Sequence, residues 1–231
     1  MPQVWSRTQA SASALAEALQ AEPVVSTADI TTDADVYVFA VKDAVLESLV
    51  HQVCGRIRGK VFLHTAGSMP IELFANHTQH YGVFYPMQTF SKSRVLDFSE
   101  IPVFVEASDE VAQMAVSTLA GSVSKHVTML SSEQRRYLHL AAVFACNFSN
   151  HCYALAEQVL AEQGIPFSVM LPLIDETVRK VHQMSPREAQ TGPAVRYDEN
   201  VLSRHAELLE NHPEWKKIYE IMSKNIHQLN S

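Results

Sequence analysis

The chain has 231 residues, 47% of them hydrophobic and 19% charged, with a formal net charge of -7. That suffices for one large or two ordinary domains with real cores, and the composition is that of an ordinary globular protein. No run of lysine and arginine exceeds two residues, which argues against an electrostatic grip on nucleic acid.

The first element is a short apolar run, Val4-Trp5, followed by Ser6-Arg7-Thr8 and an Ala-rich, helix-like stretch over 9–21. Residues 36–41 are a continuous apolar run rich in β-branched and aromatic side chains, the pattern of a strand buried on both faces. Residues 44–57 space their apolar side chains helically, and 60–67 form a second buried strand ending in a Gly turn. Further strands are expected at 81–87 and 101–107. Ser108 is expected to cap a helix that stops at Gly121, and 126–130 is the last strand. This alternation predicts parallel βαβ units with helices on both faces.

After residue 130 the strand signals stop. Ser131 and Gln134 have the spacing of a capping box and open a long helix that Gly164-Ile165-Pro166 ends. Residues 168–184 are helical, with Pro172 tolerated near the start. Ser185-Pro186-Arg187-Glu188 is a specific helix start, and 198–212 and 213–229 are two amphipathic helices. The expected organisation is an α/β domain over 1–130 and an all-helical domain over 131–231. Met170, Met184 and Met222 are expected to fill its core.

Cys54, Cys146 and Cys152 are scattered and odd in number, with no CxxC. That fits neither a disulfide framework nor a zinc knuckle and suits a reducing, cytoplasmic setting. No signal peptide is read at the start. The most apolar stretch, 138–156, is interrupted by His139, Asn147, Asn150 and His151, so it reads as a buried helix rather than a membrane span.

In doubly wound sheets, ligands lie outside the carboxyl ends of the strands. Four such ends are read here: Ser6-Arg7-Thr8, Ala40-Val41-Lys42, His64-Thr65-Ala66-Gly67 and Tyr85-Pro86-Met87-Gln88. In a dinucleotide fold the second strand ends beside the adenosine ribose, where a carboxylate suits a 2′-hydroxyl and an arginine a 2′-phosphate. Ser6-Arg7-Thr8 offers a guanidinium and two hydroxyls and no carboxylate, which favours NADP over NAD. Taken alone the same tripeptide is a surface turn; its weight comes from the βαβ pattern that follows. None of the seven glycines forms a GxG pair, so the pyrophosphate fingerprint is absent. The expectation is a dinucleotide-type domain that begins one βα unit late, by truncation or by loss, and that binds dinucleotide weakly.

The stretches VWSRT, FAVKD, HTAGSMP, GVFYPMQTFSK, LHLAAVFACNFSNHCYALA, LPLIDET and AQTGPAVRYDENV, in this order, resemble a family of NADP-dependent oxidoreductases. Its members carry a Rossmann-like domain followed by a helical domain of formerly unknown function. The layout is similar to pyrroline-5-carboxylate reductases, ketopantoate reductases and deazaflavin-dependent NADP oxidoreductases. The resemblance covers essentially the whole chain. The departure is at the start, where family members have a strand and a GxGN-type loop. The resemblance implies an NADP cofactor, polar side chains of the first long helix of the second domain near nicotinamide and substrate, and pairing of the helical domains.

His139 and Asn147 lie eight apart on that helix, about 80° apart at 100° per residue, so both can face one cleft. Asn147 suits a carbonyl or carboxylate and His139 suits proton donation; the other reading is that both are satisfied polar groups at a helix contact. His64, with Thr65-Ala66-Gly67, sits where a nicotinamide ribose would lie. Gln88 is a candidate for the substrate cleft. So is Thr191 in the turn with Gly192 and Pro193, where a plain turn is an equal reading. His77 and His80 lack acidic or cysteine neighbours at ligand spacing, so a surface loop is the better reading and no metal is expected. The leading expectation is an NADP-dependent oxidoreductase acting on a small carbonyl or imine metabolite in the interdomain cleft. The rival is a non-catalytic, dimeric nucleotide- or metabolite-binding protein. A helix as apolar as 138–161 must be covered all round, which predicts a homodimer through residues 132–231.

Overall fold

The computed structural model describes residues 3–91 and 94–231. Lys92, at the end of one of the resembling stretches, lies outside the described residues. The chain divides into two units, residues 1–146 and 147–231.

The first unit contains, in order, β1 (Gln3–Trp5), α1 (Gln9–Leu19), β2 (Glu22–Val24), β3 (Val36–Phe39), α2 (Asp43–Cys54), β4 (Val61–His64), β5 (His80–Pro86), β6 (Val103–Ala107), α3 (Glu110–Val123), β7 (Val127–Met129) and α4 (Ser132–Ala142). The helix α4 stays with this unit, past the boundary expected at 130, because its side chains are hydrogen-bonded to the sheet and to the loop after β4. The short strand β2 escaped the sequence reading: it is three residues long and contains Pro23, which demotes a strand signal.

The strands form two separate sheets. The strands β1 and β2 pair in parallel, and β3-β4-β5-β6-β7 form a second sheet in that order. Within it β3, β4 and β5 are parallel, β6 and β7 are parallel, and β5 meets β6 antiparallel. The one antiparallel step departs from the expected all-parallel rhythm. Its cause is the 87–102 connection, among whose described residues there is a single 3₁₀ turn, Phe98–Glu100, and no crossover helix to return the chain in parallel.

All four residues of β4 are buried because strands flank it on both sides and helices cover both faces. Phe62 packs with Leu46, Val50 and Val53 of α2, whereas Leu63 packs with Ala112, Val116 and Ala120 of α3. Alternate side chains of a strand point to opposite faces, so α2 and α3 lie on opposite faces of the sheet. Each large aliphatic or aromatic side chain buried here contributes about 1.5–3 kcal/mol. The α3 cap falls one residue later than expected: Asp109 Oδ1 accepts from Ala112 N at 2.9 Å while Oδ2 meets His80 Nδ1 at 2.8 Å. Gly121 does not end that helix, since its backbone is not in the left-handed region.

The second unit holds α5 (Ser149–Ala161), α6 (Leu171–Gln183), α7 (Pro186–Ala189), α8 (Pro193–Arg196), α9 (Glu199–Leu208) and α10 (Pro213–Asn230). Both expected capping boxes are present, at Ser131/Gln134 and Ser185/Glu188, although the second opens a helix of only four residues. Between α4 and α5 the backbone forms a π-helical stretch, Val143–Phe148. Met184 and Met222 are not core filler: both are more than a third exposed. Leu140 at 52% and Val159 at 43% leave the long apolar helix only partly covered within one chain. Among the described residues no helix is long and apolar enough to cross a membrane.

Candidate functional site

The carboxyl ends of β3 and β4 lie side by side because the strands are parallel neighbours. Thr65 N donates to Phe39 O at 3.2 Å, and Ser68 Oγ donates to the Asp43 carboxylate at the start of α2. Val41, Lys42, Thr65, Ala66 and Gly67 therefore share one end of the sheet. Lys42 is exposed, Thr65 half-buried, and Ala66 and Gly67 are buried.

Gly67 is buried because two side chains close on it. A Cβ there would sit 2.6 Å from His139 Nδ1 and 2.9 Å from Tyr85 Cζ. The same two side chains bond each other, Tyr85 Oη to His139 Nδ1 at 3.1 Å, with their rings edge to face. Burial raises the Tyr85 pKa, partly offset by the Arg135 charge, so the phenol stays neutral.

His139 is aimed by the residue one turn before it. Arg135 is 1% exposed and four residues away, on the same helix face. Its Nη1 meets Glu106 Oε2 at 2.5 Å, and its Nη2 donates to Met69 O at 2.6 Å and Ser132 Oγ at 3.1 Å. Glu106 also accepts from Ser132 N and Ser132 Oγ, and Ser132 Oγ accepts from Ile71 N at 2.9 Å. This network locks α4 to β6 and to the loop after β4, which fixes the rotation of the helix about its axis. Breaking such a buried pair costs about 3–5 kcal/mol, because the remaining charge is left uncompensated.

His64 corrects an expectation. Its side chain has no solvent exposure, stacks on Phe74 and accepts from Ala66 N through Nδ1 at 3.1 Å. Burial, reinforced by the Arg135 charge, lowers its pKa to about 4, so it is a neutral core histidine. It presents no side-chain surface to a ribose.

At the end of β1, Ser6 N donates to Val24 O at 3.0 Å. Thr8 caps α1, accepting from Ser11 N at 3.4 Å. Arg7 is exposed, and among the described residues no hydrogen bond or ion pair engages its guanidinium. Gln88 is exposed and turns its Oε1 onto its neighbour Thr89 N at 2.8 Å. Asn147 and Thr191 belong to the second unit. Asn147 is exposed in the π-helical stretch, where the 100° counting that placed it 80° from His139 does not apply. Thr191, with Cys152, Trp215 and Met222, lines an apolar cavity of about 430 Å³ within that unit. His80 is committed to Asp109, and His77 lies against the ring of His51.

Sequence reasoning missed Tyr85 as a partner, and missed Arg135 and Glu106 altogether. The signals were a lone carboxylate in the apolar strand Val103–Ala107 and an arginine four residues before His139.

The donors at Ser6–Arg7 fit a phosphate monoester such as the 2′-phosphate of NADP. The described residues do not fit a pyrophosphate equally well: no GxG turn exists in the sequence, and the cavity between β1 and β3 has no charged side chain in its lining.

Residues 101–226 match a family model described as a domain of unknown function (DUF2520). The chain belongs to the DUF2520 family. Among solved structures, it is similar to a Bacteroides fragilis protein provisionally named an NADP oxidoreductase, at 47% identity over 99% of this chain and 88% of that one, with a TM-score of 0.94. An imine reductase from Myxococcus stipitatus, solved with NADP+, aligns at 17% identity over 98% of this chain and 84% of its own, TM-score 0.69. A 1-pyrroline-5-carboxylate reductase from Streptococcus pyogenes aligns at 11% identity over 97% and 88%, TM-score 0.57. At such identities these last two show a shared fold, and they bear out the expected layout: a Rossmann-like α/β region followed by helices. No curated protein sequence matches this DUF2520 member.

Proposed function

We propose that this DUF2520 protein is an NADP-dependent oxidoreductase that reduces a small carbonyl or imine compound, with His139 delivering the proton. The observation that carries this reading is the Tyr85–His139 pair seated on Gly67 at the end of β4, where doubly wound sheets place their ligands. Its support is the 47% identity to the Bacteroides fragilis protein.

The cofactor supplies the hydride when bound. Arg7 and Ser6 would hold its 2′-phosphate, and the turns at Val41–Lys42 and Thr65–Gly67 would border it. In its imidazolium form His139 donates through Nδ1–H to Tyr85 Oη and through Nε2–H to the substrate nitrogen or oxygen. After transfer the ring is neutral and Nδ1–H is still held by Tyr85, so the proton leaves from Nε2 alone. Nε2 makes no hydrogen bond among the described residues, and the His139 side chain is half-buried, which leaves that nitrogen accessible.

The test is consumption of NADPH in the presence of cyclic imines and of small ketones with and without amines. His139→Ala should lower kcat about a hundredfold or more, the range of a positioned general acid. Absence of turnover with the whole panel, or an unchanged kcat in the variant, refutes the reading. A second reading, a non-catalytic nucleotide- or metabolite-binding protein, is favoured by the lack of a GxG turn. Saturable binding without turnover is its signature. We infer also that the protein works as a homodimer through residues 132–231, formed by covering exposed apolar side chains there, Leu140 and Val159 among them.

A further inference from the structure

We propose that the substrate of this site is a neutral compound whose only polar group is the reacting carbonyl or imine, and that its carbon skeleton lies on an apolar bank formed by Met87 and Leu138. The inference rests on the reading of His139 as the group that meets the substrate, and it names which carbonyl and imine compounds the site takes.

The bank follows from the register of β5. Pro86 pairs with Val103, and Met87 N donates to Pro102 O at 2.9 Å, so the ladder with β6 runs one residue past the end of the strand. Alternation along that ladder puts Met87 on the same side of the strand as Tyr85, two residues before it. Leu138 precedes His139 on α4. Both side chains are half-buried and pack against the cluster of Ile71, Val83 and Tyr85. Apolar surface is therefore left open beside the Tyr85–His139 pair.

The polar groups around it are already engaged. Tyr85 Oη and His139 Nδ1 bond each other, which leaves His139 Nε2 to meet a ligand. Gln88 Oε1 accepts from its neighbour Thr89 N. The charge that acts on the Tyr85 hydroxyl is that of Arg135, but this guanidinium is 1% exposed and is held by Glu106, Met69 O and Ser132. It is not open to a substrate carboxylate. The other cations at this end of the sheet and on this helix, Lys42 and Arg136, are exposed, where an ion pair in solvent adds little. A carboxylate set down on Met87 and Leu138 loses its hydration without gaining a partner. A neutral ring gains by covering the same two side chains and offers one acceptor to the one free donor.

The probes are 2-pyrrolidinone and its 5-carboxylate, pyroglutamate, unreactive lactams that resemble a cyclic imine and differ by one carboxylate. Binding to the full chain, with NADP+ present, is followed by NMR through the His139 ring protons, assigned by their loss in His139→Ala. The expected result is a saturable shift with 2-pyrrolidinone and about tenfold weaker binding of pyroglutamate. Met87→Lys puts a cation on the bank and should cancel that preference, whereas Met87→Leu should keep it; Leu138→Lys replaces the first variant if that one unfolds. Equal or tighter binding of pyroglutamate overturns the proposal. So does a preference that persists in the lysine variant, or the lack of a shift with either lactam. Consumption of NADPH separates this inference from the reductase reading. Faster turnover of a carboxylate-bearing cyclic imine than of the neutral ring overturns the inference and leaves the oxidoreductase standing. Selective lactam binding without turnover of any imine or ketone does the reverse.

Discussion

Gly67→Ala tests the packing at the centre of the candidate site. The Gly67 backbone is not in the left-handed region, so alanine brings no conformational strain, only volume. That volume has no room: the new Cβ lies 2.6 Å from His139 Nδ1, 2.9 Å from His139 Cγ and 2.9 Å from Tyr85 Cζ. Overpacking of this kind costs about 1–3 kcal/mol. Relief requires the His139 ring to swing away, which breaks its 3.1 Å bond to Tyr85 Oη and adds about 0.5–1.5 kcal/mol. The expected loss is therefore about 2–4 kcal/mol. In a His139→Ala background two of the three contacts vanish and no hydrogen bond is left to break, so the same substitution should cost only about 1 kcal/mol. Urea unfolding of the four proteins, followed by Trp5 fluorescence with Trp215 replaced by Phe, gives the coupling as a double-mutant cycle. An equal cost in both backgrounds would show that His139 does not press on Gly67, and the site as described would fall with it.

The neutral, buried His64 makes stability depend on pH. Its pKa is about 4 in the fold against 6.5 unperturbed, so below about pH 6.5 the unfolded chain takes up a proton that the fold refuses; stability is lost as pH falls toward 4, by about 2 kcal/mol at pH 5. His64→Gln should flatten the curve between about pH 7 and pH 5 by that amount, and parallel curves for the two proteins would contradict the burial assigned to His64. Arg7→Ala should erase a preference of about tenfold to a hundredfold for adenosine 2′,5′-bisphosphate over AMP, read by calorimetry; a preference that survives assigns the 2′-phosphate to another residue. Leu140→Glu should shift the protein from dimer to monomer in sedimentation equilibrium, and a monomeric unmodified protein would refute the dimer outright.

What was legible in the sequence was local. Strand runs such as Val61–His64 are short and wholly apolar, and caps such as Ser131/Gln134 depend on residues three apart, so both can be read without knowing the neighbours. The antiparallel return of β6 was not legible, because it depends on the 87–102 connection, whose described residues hold no α-helix, rather than on what β6 contains. His64 was misjudged for a related reason. Its position at a strand end suggested a ligand contact, but its surroundings are set by Phe74, ten residues on, which stacks on it, and by Arg135, seventy-one residues on. Asn147 was placed by counting 100° per residue across a stretch that turns out to be π-helical, an irregularity that no periodicity announces.

The buried ion pair explains why the site depends on residues that never reach it. His139 gains its geometry from a helix whose rotation is fixed by Arg135, and Arg135 is held by Glu106 on β6, the strand that runs antiparallel to β5. Had β6 run parallel to β5, successive residues along it would meet α4 in the reverse order, and the carboxylate beside Ser132 and Arg135 would have to come from the other end of the strand. The antiparallel step is thus tied to the site: it sets Glu106 opposite Val83, two residues before Tyr85 on the neighbouring strand. One face of α4 then receives both anchors, the carboxylate at its first turn and the phenol one turn further on. An arginine and a histidine four residues apart are the simplest way for a helix to answer them.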